Sequence, residues 1–316
     1  MRYDSPSQGE LELRPARPDD LDQVARFCLA LDPDDWMPEV FPAWAGRQDG
    51  TLAVAVAEDQ VVGILGHALP TPREAYLMGM RVHPAYQRQG IAKALTNYVT
   101  DQAFRAGAQV ARLTTRRDNV AAQALLDATG YRRLGSWDIV PDWNWAAAMP
   151  PASQPGVSRL QVRQARPEDL EWLRPWVAET SRDPDASGLV AQPGETFEVM
   201  SLTGEGLASY IEAGEGWVAG PPGFASGDGA FALLDRHSQD WILRQFIGVL
   251  PAAAHLLATL DGLIRQAGQG VVNVTLPGRQ FQLLVEAGLT GYEPEWWPGY
   301  VCQRTKQDSR GETGIS

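Results

Sequence analysis

The chain has 316 residues, 44% of them hydrophobic and 21% charged, and a formal net charge of −12. The length suits two domains, the composition excludes wholesale disorder, and the acidic field disfavours a nucleic-acid partner while favouring small cationic ones. No apolar run of roughly 7 to 15 residues follows the N-terminal methionine, no stretch approaches the ~20 apolar residues of a membrane span, and Cys28 and Cys302 lie too far apart for metal-ligand spacing. A cytoplasmic protein is expected, with no membrane and no metal.

Residues 11–21 (LELRPARPDDL) align without gaps on residues 160–170 (LQVRQARPEDL). Each copy alternates like a short strand and then places proline and acidic residues where a helix's first turn favours them, ahead of an apolar helical pattern. Each half therefore begins strand, then helix. A shorter match, 124–130 (ALLDATG) on 282–288 (QLLVEAG), predicts a helix ending at glycine late in each half. Residues 148–156 (AMPPASQPG) concentrate proline, serine and glycine without a period. The expected organisation is a first domain over 10–147, a linker over 148–157, a second domain over 158–306 and a flexible tail over 307–316.

In the first half, residues 51–57 (TLAVAVA) and 61–67 (VVGILGH) flank Glu58, Asp59 and Gln60 and read as a hairpin. Residues 75–82 (AYLMGMRV) form the next strand, ended by His83 and Pro84. A helical pattern with Ile91, Leu95, Tyr98 and Val99 on one side then runs to Gly107. The polar turn between strand and helix is an anion site in waiting. The first helical amides lack internal acceptors and sit at the positive end of the helix dipole, so they can hold a pyrophosphate. Gly90 leaves room for the ligand, Ala92 keeps the first turn small, and Arg88 and Lys93 add charge at the rim.

With Gln87-x-x-Gly90-x-Ala92 following Val82, His83 and Pro84, the segment resembles the GNAT N-acetyltransferase superfamily. That signature reads Arg/Gln-x-x-Gly-x-Gly/Ala after a strand ending in an apolar residue, any residue and proline. The resemblance continues through the strand 110–115 (VARLTT), Asn119, a helix to Ala128 and the closing Gly130 and Tyr131. It implies a mixed α/β fold: two tandem GNAT-like domains, each a mixed central sheet flanked by helices. It also implies acetyl-CoA as acyl donor, held by Gln87, Arg88, Gln89, Gly90, Ile91, Ala92 and Lys93 at its phosphates. Met80, Arg81, Val82 and Asn119 would lie along its pantetheine arm.

Membership implies direct attack of an amine on the thioester, without an acyl-enzyme. The helical position where many relatives carry an acidic tyrosine holds Leu126, and Tyr131 reads as a packed aromatic. The strand 76–82 has no carboxylate to serve as base; the candidates are His67, His83 and the acidic cluster of Asp34, Asp35 and Glu39, and of these His67, with an imidazole's pKa at a strand end, is taken as the catalytic candidate. Residues 32–44 (DPDDWMPEVFPAW) read as a loop that in the family lines the acceptor site. Asp34, Asp35 and Trp36 there would suit a cationic amine. The alternative to an acetyltransferase is a non-catalytic acyl-CoA sensor.

In the second half, Pro251 is followed by AAAHLLATL rather than by a polar glycine loop. That copy therefore lacks a phosphate cradle and is expected to be degenerate. The glycine-rich stretch 214–229 lacks the Gly-Lys-Ser/Thr ending of a phosphate loop and reads as a strand and a long hairpin turn.

Overall fold

The computed structural model describes residues 2–4, 10–144, 146–147, 160–180, 189–191, 199–224, 228–237, 240–267, 271–290 and 297–308. The expected linker, 148–157, and the tail beyond 308 lie outside them. The chain divides into two units, both discontinuous in sequence. The first comprises Met1–Leu113, Asn119–Arg133 and Cys302–Ser316, and the second Thr114–Asp118 and Leu134–Val301. Segment 302–306, expected to close the second domain, thus clusters with the first unit.

The first unit opens with β1 (Arg2–Asp4), β2 (Glu10–Pro15), α1 (Leu21–Leu31) and α2 (Met37–Ala45). It continues through β3 (Gly50–Ala57), β4 (Gln60–Thr71), β5 (Glu74–Val82), α3 (Ile91–Arg105), β6 (Val110–Arg116) and α4 (Val120–Ala128). Its strands lie in the order β1–β2–β3–β4–β5–β6, antiparallel up to β5, while β5 and β6 run parallel. The β3–β4 hairpin turns on Glu58 and Asp59, both at positive φ (50° and 61°), the left-handed pair that matches strand twist. Val24, Phe27 and Cys28 of α1 pack with Met37 and Phe41 of α2 against Leu52, Val54 and Ile64. The opposite face meets α3, where Gly63 lets Ile91 and Leu95 approach: a Cβ there would sit 3.1 and 2.9 Å from their side chains. The expected loop over 32–44 is a helix from Met37 onward. Pro38 lies in its first turn, where no amide is needed, and buried Met37 and Phe41, four residues apart, anchor one face.

The second unit takes up β7 (Arg132–Asn144) from Leu134 and continues with β8 (Ala146–Ala147), β9 (Gln161–Gln164), α5 (Leu170–Thr180), β10 (Leu189–Ala191) and β11 (Val199–Ser201). Then come α6 (Gly204–Glu212), β12 (Gly216–Gly220), β13 (Ala230–His237), β14 (Asp240–Gly248), α7 (Leu250–Gln266), β15 (Val271–Pro277), α8 (Gly278–Glu286) and β16 (Leu289–Thr290). The final strand, β17 (Trp297–Thr305), passes from the second unit to the first at Cys302. The order β9–β12–β13–β14–β15–β7 is antiparallel except for the parallel pair β14/β15. Strands β9, β12, β13, β14 and β15 thus repeat the connectivity of β2 to β6. Helices α7 and α8 cover one face through Leu256, Leu260, Phe281 and Leu284, and α5 and α6 the other through Leu173, Val177, Leu207 and Ile211.

The aligned strand–helix starts also repeat in detail. Arg14 forks onto Asp20 at 2.7 and 2.7 Å, and the Arg17 amide donates to the same carboxylate at 2.7 Å. Arg163, Asp169 and Arg166 do the same at 2.6, 2.7 and 2.8 Å. Burial alone would raise both carboxyls, but these hydrogen bonds outweigh it and hold them below the usual range. Among the described residues no helix is long and apolar enough to cross a membrane.

Candidate functional site

Eight residues, 83–90, join β5 to α3 in the first unit. The Gln87 side-chain amide donates to the Val82 carbonyl at 3.2 Å and that of Gln89 to the Ala85 carbonyl at 3.1 Å, so the turn is braced by its own glutamines. Arg88 and Gly90 both take positive φ, 61° and 83°. The first α-helical bond runs from the Ala94 amide to the Gly90 carbonyl at 2.9 Å. The amides of Ile91, Ala92 and Lys93 therefore have no acceptor inside the helix. A Cβ built on Gly90 meets no heavy atom within 4 Å, so the helix start is open on the side of Gly90. The arrangement fits a phosphate-bearing ligand: unpaired helical donors, an open approach, and Arg88 and Lys93 flanking it.

Strand β5 carries a second irregularity. It pairs with β4 at Gly63↔Val82, Ile64↔Arg81 and Gly66↔Met78, so one extra residue is bulged out around Gly79, whose φ is +80°. A Cβ there would lie 2.5 Å from Met37 Cε and 3.2 Å from Trp44 Cζ3, so α2 sits directly on the bulge. Pairing of β5 with β6 is confined to Glu74–Tyr76 against Val110–Arg112. Beyond those residues the backbone of β5 is not laddered to β6. In the sequence the bulge has one local signal, a glycine inside a strand pattern.

Arg81 sits just past the bulge and is bound to the α1–α2 segment. Its Nε and Nη2 donate to the Asp35 carboxylate at 2.6 and 3.1 Å, and the Met37 amide donates to Asp35 at 2.9 Å. Burial opposes ionisation of Asp35, but those hydrogen bonds hold its carboxyl below the ordinary range. Asp35 is thus committed to Arg81. Trp36 lies over the Arg81 guanidinium at 5.4 Å and edge-on to Trp44, and is 44% exposed. Asp34 is exposed, its amide donating to Asp32 at 3.0 Å.

His67 is buried on β4 and lines a small cleft with Trp44, Arg47, Thr51, Leu52 and Met78. Its Nδ1 has no hydrogen-bond partner. Burial, and after it the charge of Arg47, push its pKa down to about 4. His83 instead accepts from the Ala85 amide at 3.2 Å and packs edge-on against Tyr86. Asn119 caps α4, accepting from the Ala122 amide at 3.0 Å. The structure therefore joins Met80 to Lys93 into one continuous feature and ties Asp35 and Trp36 to it through Arg81. Among the described residues, His67 and Asn119 make no hydrogen bond to that feature. Leu126 is buried, and Tyr131, also buried, shares a 2.7 Å hydrogen bond with Thr100, so it is a packed aromatic.

The second unit keeps a bulge at the corresponding strand pair, but the residue bulged out of β14 is Arg244, fully buried and clasped by Asp235 at 2.8 and 3.0 Å. A single residue, Val249, separates β14 from α7. The Phe246 amide of β14 donates to the Gln280 side chain at 2.8 Å, and Gln280 in turn donates to Gln245 at 2.8 Å. Aligning 124–130 on 282–288 puts Gln280 at the place of Ala122, whose side chain has no polar group to offer.

Residues 19–131 match the model of the Acetyltransferase (GNAT) family. A stretch of 58 residues is 38% identical to the [Ribosomal protein bS18]-alanine N-acetyltransferase of Escherichia coli (strain K12), covering 18% of this chain and 39% of that protein. The chain thus spans about two fifths of the length of that curated relative. Among solved structures, a GCN5-related N-acetyltransferase from Sphaerobacter thermophilus shares the fold at a TM-score of 0.58 and 17% identity, over 93% of this chain and 95% of that one. The GCN5-related glucosamine N-acetyltransferase region of a fungal multi-domain GH3 beta-N-acetylglucosaminidase does so at 0.59 and 15%, over 95% and 39%. The family match lies over the bulged strand, the braced turn and the open helix start, so it is residues 19–131 that are similar to the GNAT acetyltransferases.

Proposed function

We propose that the chain transfers an acetyl group from acetyl-CoA to a primary amine, with the first unit catalytic and the second a scaffold. The observation that carries this reading is the open N-terminus of α3, with Gly90 at positive φ and the amides of residues 91–93 lacking helical acceptors. In this proposal Gln87, Arg88, Gln89, Gly90, Ile91, Ala92 and Lys93 hold the coenzyme's phosphates. Met80, Arg81, Val82 and Asn119 follow its pantetheine arm, the strand residues through main-chain groups. The amine nitrogen attacks the acetyl carbonyl, the C–S bond breaks, and the thiol leaves carrying the proton that the amine gives up.

His67 is the proposed proton acceptor, because its Nδ1 is buried without a partner and unprotonated near neutral pH. Its lowered pKa makes it a weak base, so the amine has to arrive neutral or lose its proton to water. Trp36 and Asp34 are proposed to face a cationic acceptor, while Asp35 acts through Arg81 by holding the loop in place.

Gly90→Glu places a carboxylate where the phosphates would sit and should weaken acetyl-CoA binding by about two orders of magnitude or more. Calorimetric binding together with thiol release across a panel of amines tests it, and undiminished affinity and turnover in the variant would overturn the assignment. Leu126, apolar and buried at the position where the family resemblance implies an acid, favours the sensor alternative. Tight coenzyme binding with no thiol release for any amine would support that alternative.

A further inference from the structure

The last described segment of the chain, 302–308, clusters with the first unit although it follows the whole second half in sequence. Besides the strand pairing of its first residues in β17, two of its side chains reach one helix, α3. Arg304 Nη1 donates to Asn97 Oδ1 at 3.1 Å. Lys306 Nζ donates to the Phe104 carbonyl at 2.9 Å, and the Lys306 amide donates to the Gln109 carbonyl at 2.9 Å, just beyond the helix end. Thr100, held by the Tyr131 hydroxyl, lies between the two anchor points. Asn97, Thr100 and Phe104 fall at i, i+3 and i+7, a single stripe of α3. The segment is closed in turn by Asp308, which accepts from the Thr305 amide and hydroxyl at 3.0 and 2.6 Å and meets Arg132 at 3.3 Å.

We infer that this segment, and Lys306 in particular, positions α3 and so sets the coenzyme affinity of the loop at the helix's other end, an inference that rests on the function proposed above. Lys306 places a positive charge on the carbonyl end of α3, where the helix dipole is negative, and adds a charged donor to the Phe104 carbonyl, which otherwise accepts only from the Gly107 amide at 3.4 Å and from the capping Ala106 amide. Arg304 holds the same helix two turns earlier. A fifteen-residue helix is about 22 Å long, so a tilt of about 5° at its C-terminus displaces its N-terminus by about 2 Å. That displacement exceeds the tolerance of a hydrogen bond from amide to phosphate. Lys306 thus acts as a positioning residue through α3 and not through contact with the substrate.

The test uses the full-length chain with Lys306→Met and Lys306→Arg. Hydrogen exchange of residues 91–105 and of residues 250–266 is measured without ligand, and acetyl-CoA affinity by calorimetry. The Met variant should speed exchange in the C-terminal half of α3, leave α7 unchanged, and weaken acetyl-CoA binding about three- to ten-fold. KM for acetyl-CoA should rise while kcat at saturation stays within about two-fold, and the Arg variant should restore parental values. If Lys306→Met does not fold, Asn97→Ala removes the other anchor's acceptor and should give the same pattern. Faster exchange in α7 rather than α3, or unchanged exchange in both, overturns the inference. A parent protein that binds no acetyl-CoA would instead overturn the proposed function, and the exchange comparison would still decide where the segment acts.

Discussion

A buried imidazole with an unpartnered nitrogen makes the first unit sensitive to acid. His67 has its pKa lowered to about 4 by burial and by Arg47, whereas in the unfolded chain it titrates near 6.5. Between those values the unfolded state binds a proton that the folded state does not, so stability falls as pH falls through that window. The loss between pH 7.5 and pH 5 should be about 2 kcal/mol from this residue alone. Urea unfolding of the parent and of His67→Asn at both pH values checks it: the variant should lose about that much less stability on acidification. Equal losses would mean that His67 is hydrated in the folded state and titrates normally. Single residues were unevenly readable from sequence. Gly90 and Gln87 announce a loop through their own chemistry. The commitment of Asp35 to Arg81 joins residues 46 positions apart, and nothing local distinguishes that carboxylate from exposed Asp34 beside it.

Among the elements, the hairpin of β3 and β4, the strand β5 and the helix α3 follow from alternation, turn residues and a 3.6-residue period, and all three are formed. The three prolines of 32–44 make that segment read as a loop, yet packing of Met37 and Phe41 forms helix α2 from Met37 onward. The β5 bulge was hidden because it is defined by register against β4. Two glycines at positive φ now separate turn from bulge. Gly90→Ala meets open space and costs only the left-handed backbone, about 1–2 kcal/mol. Gly79→Ala adds to that strain a Cβ 2.5 Å from Met37 and 3.2 Å from Trp44, so it should cost about 2–4 kcal/mol and displace α2. Thermal unfolding of the two variants should rank them in that order. Equal effects would show that α2 does not rest on the bulge.

For the whole molecule, the sequence repeat proved faithful to the fold and silent about its assembly. The paired Arg–Asp clamps reproduce one another across 149 residues, since each is built from neighbours six apart. The return of 302–308 to the first unit has no such local source. The halves diverge where a ligand would bind. In the second unit one residue replaces the eight of the β5–α3 turn, and Gln280 accepts from the Phe246 amide where the aligned residue of the first unit is Ala122, which has no polar side chain. A backbone donor already satisfied by a buried side chain offers a ligand no net gain, because its hydrogen bond must first be broken and the glutamine left unpaired. Calorimetry should therefore find one equivalent of acetyl-CoA per chain, removed by Gly90→Glu. Gln280→Ala should destabilise the protein by about 1–3 kcal/mol, leaving Phe246 and Gln245 short of partners, without creating a second binding event. A second equivalent, in the parent or in that variant, would mean that the missing turn is dispensable and that the two halves differ in occupancy rather than in design.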